Sequence, residues 1–195
     1  MIEYLKGRLA DLSPAHIVIE CGGIGYFAHI SLHTFSQIKK DSEACTLFIH
    51  EIIREDAYEL YGFADQDERW IFRKLISVSG VGAGTCRMIL SALNPAELRQ
   101  AIMSGNAGLM KSIKGIGIKT AERIIIDLRD KIGGDFDGKQ IFSVGSNTAR
   151  QDALTALSSL GFDRLKAEKT LDKILAELGS DLRVEELVKL ALKQL

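Results

Sequence analysis

Two stretches of this chain carry the same unusual turn. SGVGAGTCRMIL at residues 79–90 and KGIGIKTAERII at 114–125 each place a Gly-x-Gly pair just ahead of a helical run. A β-branched residue, Val81 or Ile116, stands between the glycines, and Thr85 aligns with Thr120 and Ile89 with Ile124. Gly80 and Gly115 lie 35 residues apart, the length of a helix–turn–helix unit with a connecting helix. A chain built this way must contain a duplicated helical supersecondary unit, which narrows its middle third more than any other feature does.

The physical chemistry of the turn suggests a purpose. Glycine takes positive φ without a Cβ clash, so the turn can be tight, and Gly117 is expected to use that freedom. The apolar residue between the glycines tucks inward as an anchor. Because a helix starts immediately afterwards, unpaired N–H groups and the positive end of the helix dipole converge there, and a phosphate suits that spot. Lys114, Lys119 and Arg123 add positive charge around the second copy. A P-loop requires GxxxxGK[ST], but Ile118 precedes Lys119-Thr120 and no hydrophobic strand leads into the turn. A dinucleotide-binding turn also lacks its strand. The pattern that remains is the helix–hairpin–helix, which grips DNA backbone without reading bases. The alternative is that the two glycines are plain helix caps, and two copies at this spacing favour paired hairpins on a duplex instead.

The flanking sequence divides by texture. From Ile2 to Phe63, five short runs (IEYLKGRLADL, HIVIEC, YFAHISL, ACTLFIHEII and AYELYGF) alternate partially and are rich in Ile, Val, Tyr and Phe. They predict a small five-stranded OB-type barrel. Gly23-x-Gly25-x-x-Ala28 formally matches a dinucleotide fingerprint, but it joins two strand patterns with no helix following and is expected to be a hairpin turn. The run from Asp65 opens a helix with acidic residues and places Trp70, Ile71, Leu75 and Val78 on its apolar face, and Asn94-Pro95 opens another. Residues 132–150 hold four glycines and little periodicity, the composition of a flexible linker. Three amphipathic stretches follow between Gln151 and Leu195. The predicted fold is α+β and multidomain: barrel 1–64, all-α tandem hairpin domain 65–132, linker 133–149 and three-helix module 150–195.

Charge is unevenly spread along the chain. Residues 1–70 hold 6 basic against 12 acidic residues, 71–131 hold 10 against 4, and 132–195 hold 9 against 10. A basic middle third fits a polyanion partner, although solvated helix faces give the same totals. Cys21, Cys45 and Cys86 are odd in number and never CxxC, as expected of reduced structural thiols in a soluble, cytoplasmic protein. The four histidines show no ligand spacing relative to them, and neither a metal nor a cofactor is implied.

The start MIEYLKGRL, the turn GGIGY at 22–26, REDAYELYGF at 54–63, the doubled hairpins and LGF at 160–162 together resemble the RuvA family over essentially the whole length. Members of that family are bacterial subunits that bind Holliday junctions during branch migration. The resemblance implies a non-catalytic, sequence-independent binder of four-way junction DNA, assembled as a homotetramer, with one tetramer or two face to face on the junction. It also implies the RuvB hexameric ATPase as partner and the RuvC resolvase in the same complex, with no membrane contact. Backbone contacts fall to Val81, Gly82 and Gly84 in the first hairpin and to Ile116 and Gly117 in the second, with Lys119, Thr120 and Arg123 beside them. The family commonly has proline and lysine where this chain has Ala83 and Gly84, and often lysine in place of Ile118. Arg87 either compensates for the missing lysine or is a solvated residue. His29 either faces DNA or packs at the barrel rim. Glu55 and Asp56 match an acidic pin at the crossover. Leu157, Leu160, Phe162 and Leu192 match positions that dock the ATPase, some of which must serve the module's own core. Two rivals stand beside this assignment: an architectural duplex binder, and a repair glycosylase or nuclease built on the same hairpins.

Overall fold

The structure, a computed structural model, describes residues 1–39, 44–132, 148–179 and 182–195. The chain forms two compact units, Met1–Phe136 and Asp137–Leu195. Five strands open the first unit: β1 (Tyr4–Leu12), β2 (His16–Cys21), β3 (Ile24–His29), β4 (Cys45–Ile53) and β5 (Tyr58–Phe63). They close into a barrel in the order β1-β2-β3-β5-β4, antiparallel throughout except for β3 against β5. Alternation explains the closure. Ile17 and Ile19 of β2 and Cys45, Leu47 and Ile49 of β4 point inward, where they meet Leu5, Ala28, Ile30 and Leu60. The turn between β2 and β3 places Gly22 at φ 58° and Gly23 at φ 85°, the primed turn that suits a two-residue hairpin, so Gly23 of the fingerprint-like pattern is a turn residue and Gly25 lies in β3 opposite Glu20.

One element of the barrel was not legible. YFAHISL was expected to run as a strand to Leu32, but β3 stops at His29 and a short helix, α1 (Leu32–Gln37), follows. The Ser31 hydroxyl caps it by accepting the Thr34 N–H. LHTFSQ is too short to show helical periodicity, and only its cap signals the change.

Five helices complete the first unit: α2 (Gln66–Ile76), α3 (Ala83–Ala92), α4 (Pro95–Met103), α5 (Ala107–Lys111) and α6 (Ile118–Ile132). Asp65 caps α2, and α4 starts with the expected proline inside an Asn94/Glu97 capping box. Their core is continuous with the outer face of β5, because Tyr61 and Phe63 pack with Phe72, Ile71 and Leu75 of α2. Gly62, between those aromatics, lies against Leu47 so closely that a Cβ would come within 2.4 Å of its methyl carbon. Both faces of β5 are therefore occupied, one by each layer. Trp70, expected on the apolar face of α2, is only partly buried.

Buried polar groups fasten the two layers together. Glu68 of α2 accepts hydrogen bonds from the Ser31 and Thr34 hydroxyls of the barrel segment, and the Thr34 oxygen accepts from the Ala64 N–H at 3.0 Å. Next to it Arg69 pairs with Glu3 and donates to the carbonyls of Glu3 at 2.8 Å and Ile49 at 3.3 Å. Burial lifts the Glu68 carboxyl above its ordinary value, against the opposing pull of the two hydroxyls. Glu68 belongs to the acidic start expected for this helix, but it is turned inward against the barrel.

The second unit contains α7 (Thr148–Ser159), α8 (Arg164–Leu178) and α9 (Val184–Ala191) around a core of Leu154, Leu157, Leu171, Ile174 and Leu187. These are the three helices expected, with α7 starting inside the predicted linker, of which residues 133–147 lie outside the described residues. None of the described helices is long and apolar enough to cross a membrane.

Candidate nucleic-acid interface

The two Gly-x-Gly turns have the same construction. Gly80 sits at φ 85° and Gly115 at φ 88°, and each is followed by a buried anchor, Val81 or Ile116. The anchor N–H turns inward in both, Val81 to the Val78 carbonyl at 3.0 Å and Ile116 to the Ile113 carbonyl at 3.1 Å. Val81 and Ile116 are therefore supports for the turns, and the N–H groups expected to face a ligand from those two residues are already used. Burying each side chain contributes about 1.5–3 kcal/mol.

The second glycine of each pair behaves differently from the expectation. Gly82 has φ −90°, and Gly117 is likewise outside the left-handed region. No atom lies within 4 Å of a Cβ built on either one, nor on Gly84. Neither backbone strain nor packing within the chain calls for glycine at these places. What remains is room for something outside the chain to approach the backbone closely.

Donors wait in that room. The first intrahelical bonds of α3 and α6 run from Cys86 N–H to the Gly82 carbonyl at 2.9 Å and from Ala121 N–H to the Gly117 carbonyl at 3.0 Å. The N–H groups of residues 82–85 and 117–120 precede those bonds. Elsewhere in this unit a side chain fills the equivalent role: Ser31, Asp65, Asn94 and Asn106 cap α1, α2, α4 and α5. At Gly82 and Gly117 there is no side chain to do so. Two open helix starts, each carrying the positive end of its dipole, are thus presented on one rigid unit, and an oxyanion such as a phosphate is the chemical complement.

The two turns are tied to each other. Arg123 of α6 donates to the Ser79 carbonyl at 3.2 Å, at the entrance to the first turn, and Met88 of α3 approaches Gly115 with its methyl 3.9 Å from a Cβ built there. Arg123 is exposed and keeps further N–H groups for a ligand. Lys119 is exposed one residue past the start of α6, with Thr120 half-buried beside it, and Lys114 is exposed on the other side of the turn.

Arg87 and His29 turn elsewhere. Arg87 donates to the Ala15 carbonyl at 3.2 Å and to His29 Nδ1 at 3.1 Å, so this guanidinium docks α3 on the barrel. Burial, then the positive charge of Arg87, holds the His29 imidazole below its ordinary value. His29 packs at the barrel rim and remains partly exposed.

Glu55 and Asp56 form the exposed tip of the β4–β5 connection, closed by the Arg54 N–H donating to the Ala57 carbonyl at 2.8 Å. In the second unit the four candidate docking residues divide. Leu157 is fully buried and belongs to the module's own core, because its position on α7 faces α8 and α9. Phe162 packs against that core, whereas Leu160 is 60% and Leu192 43% exposed. Leu165 and Leu178, which sequence reasoning did not single out, are also exposed. Leu165 interrupts the polar face of α8, a signal present in the sequence, whereas Leu178 continues the stripe of Ala167, Leu171 and Ile174.

Among the described residues, His33, Asp65 and Glu68 bring ligand-type atoms within 4.8 Å of one another, a grouping invisible to spacing rules. The Glu68 oxygens already accept from Ser31 and Thr34, and the group lies at the joint between barrel and α2, not at the turns. Burial pushes the Cys86 thiol up to about 12, which makes it an inert core residue.

Comparison with known proteins agrees with this layout. Residues 1–62 match the RuvA N-terminal domain, residues 72–130 the SAM-like helix-hairpin-helix tandem, and residues 148–195 the RuvA C-terminal domain. The chain is 50% identical over 195 residues to a protein of Christiangramia forsetii and 51% identical over 203 residues to one of Bacteroides thetaiotaomicron, with 100% of each chain covered. A protein of Flavobacterium psychrophilum is 47% identical, again over the full length of both chains. Each of the three is named Holliday junction branch migration complex subunit RuvA.

Proposed function

This chain belongs to the RuvA family, and on that premise we propose that it is the non-catalytic subunit that recognises four-way junction DNA for the RuvB motor. The observation that carries the proposal is the pair of uncapped, glycine-opened helix starts joined through Arg123 and Ser79. Phosphates of an arm bind at the N–H groups of residues 82–85 and 117–120, and Lys119, Thr120 and Arg123 supply side-chain contacts. Val81 and Ile116 hold the turns in shape, while Arg87 and His29 fix the hairpins to the barrel and border the DNA. No base edge is read, because the contacts are made by main-chain donors and by point charges.

Assembly completes the site. Four copies around a four-fold axis, as one tetramer or two face to face, offer a hairpin pair to each arm and bring Glu55 and Asp56 to the crossover. There the carboxylates disfavour a continuous duplex more than strands that diverge. The exposed Leu160 and Leu192, with Phe162, form the surface for RuvB, and RuvC joins the same cytoplasmic complex. The decisive experiment compares binding to a four-way junction with binding to linear duplex of identical sequence over a salt series. The junction should be preferred, with affinity falling steeply as salt rises. Equal affinity for the two substrates would leave an architectural duplex binder instead.

A further inference from the structure

The outer face of the barrel carries a run of rings, of which the DNA contacts above use His29 alone. His16 and Phe27 stack with centroids 4.9 Å apart and planes 24° apart, Phe27 meets His29 edge-on at 5.2 Å, and His29 leans on the buried Tyr61 at 5.3 Å. They come from β2, β3 and β5, adjacent through the pairs His16–His29 and His29–Tyr61. Phe27 is 48% exposed, on a barrel face where a polar side chain would be expected. Its support is held in place: the His16 Nδ1 is 2.8 Å from the Ser13 hydroxyl, and its Nε2 is 2.8 Å from the Asp11 carboxylate.

The run joins the two ends of the DNA site. At one end Arg87 links His29 to α3, the helix that opens at the first hairpin. At the other the Tyr61 hydroxyl donates to Glu59 at 3.3 Å, and Glu59 pairs at 4.0 Å with Arg54, the residue before Glu55. A continuous chain of contacts therefore leads from hairpin to acidic tip across the rings, on the strand 2–3 face with which OB barrels bind oligonucleotides.

We propose that Phe27, braced by His16 and His29, is a stacking platform for an unpaired base of a DNA strand passing between the first hairpin and the acidic tip. The inference rests on the junction reading. A strand exchanging partners must expose bases in passing, and every base offers a π face, so the contact is independent of sequence. A neutral His29 suits the role, since it accepts a hydrogen bond from Arg87 and its burial disfavours the charged form.

The test uses the full-length protein, the variants Phe27→Leu and Phe27→Trp, and two four-way junctions. One junction is fully paired at its centre and the other carries thymine–thymine mismatches there. The wild type should hold the mismatched centre roughly tenfold more tightly than the paired one, the order of one base–aromatic stack. Phe27→Leu should lose that margin and bind the paired junction as before. Phe27→Trp should keep the margin, and its added indole fluorescence should fall on binding the mismatched centre. The proposal is overturned if the wild type shows no margin or if Phe27→Leu retains it. A changed sedimentation coefficient of free Phe27→Leu would also overturn it, by making the face a contact between subunits. Failure of the wild type to prefer either junction over linear duplex would bring down the junction reading itself, a separate outcome.

Discussion

Substituting alanine at the two glycines of the second turn should separate folding from binding. Gly115 has φ 88° with only the Met88 methyl, at 3.9 Å, near its added Cβ, so Gly115→Ala suffers from backbone conformation and not from crowding. The left-handed penalty is about 1–2 kcal/mol, which lowers the melting temperature of a unit this size by roughly 2–8 °C. Gly117→Ala meets nothing within 4 Å and keeps an ordinary φ, so it costs at most about 1 kcal/mol through the weaker N-terminal position of alanine. Its methyl, however, stands where a phosphate must approach. Losing one charge-assisted hydrogen bond there is worth about 1.5–3 kcal/mol, a fall of roughly 10- to 150-fold in the affinity of that hairpin. Scanning calorimetry and junction binding by fluorescence anisotropy, the latter well below both melting temperatures, give the two readouts. Gly115→Ala should lose more stability than binding, and Gly117→Ala the reverse. If Gly117→Ala binds junctions like the wild type, or if the two variants lose affinity equally, the open space at Gly117 is not a ligand site.

Four further outcomes follow from the same structure. Lys119→Ala should weaken binding to all sequences alike and reduce the salt slope by about 0.9 for the phosphate it releases; an unchanged slope would place Lys119 away from the DNA. Replacing Glu55 and Asp56 by Gln and Asn should lower the ratio of junction to duplex affinity by a factor of about five, the order of one screened like-charge contact, and a ratio that holds or rises would remove them from the crossover. Leu157→Ala should destabilise the second unit by about 2–5 kcal/mol, measured by thermal unfolding, whereas Leu192→Ala should leave its stability within about 0.5 kcal/mol and reduce RuvB stimulation. Because Glu68 takes up a proton more readily when folded than when unfolded, stability should decline as pH rises from the ordinary glutamate range through the raised native value, and Glu68→Gln should flatten that part of the melting profile.

The barrel, the tandem helices and the three-helix module were legible because each rests on a repeating pattern: alternation in β2 and β4, helical spacing in α2 and α8, and one turn written twice. The site was legible as a motif but not in its internal division of labour. Sequence alone cannot show that Val81 and Ile116 have spent their N–H groups, because that depends on the chain doubling back to Val78 and Ile113. Nor can it show that the second glycines have an ordinary φ and open space beside them. Charge totals mislead for a related reason. Arg99 forms a two-pronged contact with Asp67 at 2.5 and 2.6 Å, and Arg87 lies on the barrel, so part of the basic excess of the middle third is internal structure. The joint made by Glu68 and Arg69 was not legible because their side-chain partners Ser31, Thr34 and Glu3 lie 34 to 66 residues away in the chain, beyond any local window.

The bond from Arg123 to the Ser79 carbonyl has a mechanical meaning. With phosphates held at both turns as proposed, it would tie the two clamps into one jaw, so that neither could creep along the backbone without the other. A double helix offers such a jaw the same grip at each phosphate, about every 3.4 Å along a strand. Successive grips therefore have nearly equal energy whatever the bases are, and a motor driving DNA through the protein meets a shallow, regular ripple. A clamp reading base edges would instead turn every favoured sequence into a brake. On the proposed reading, the same glycines that forgo specificity would let the protein serve as a bearing.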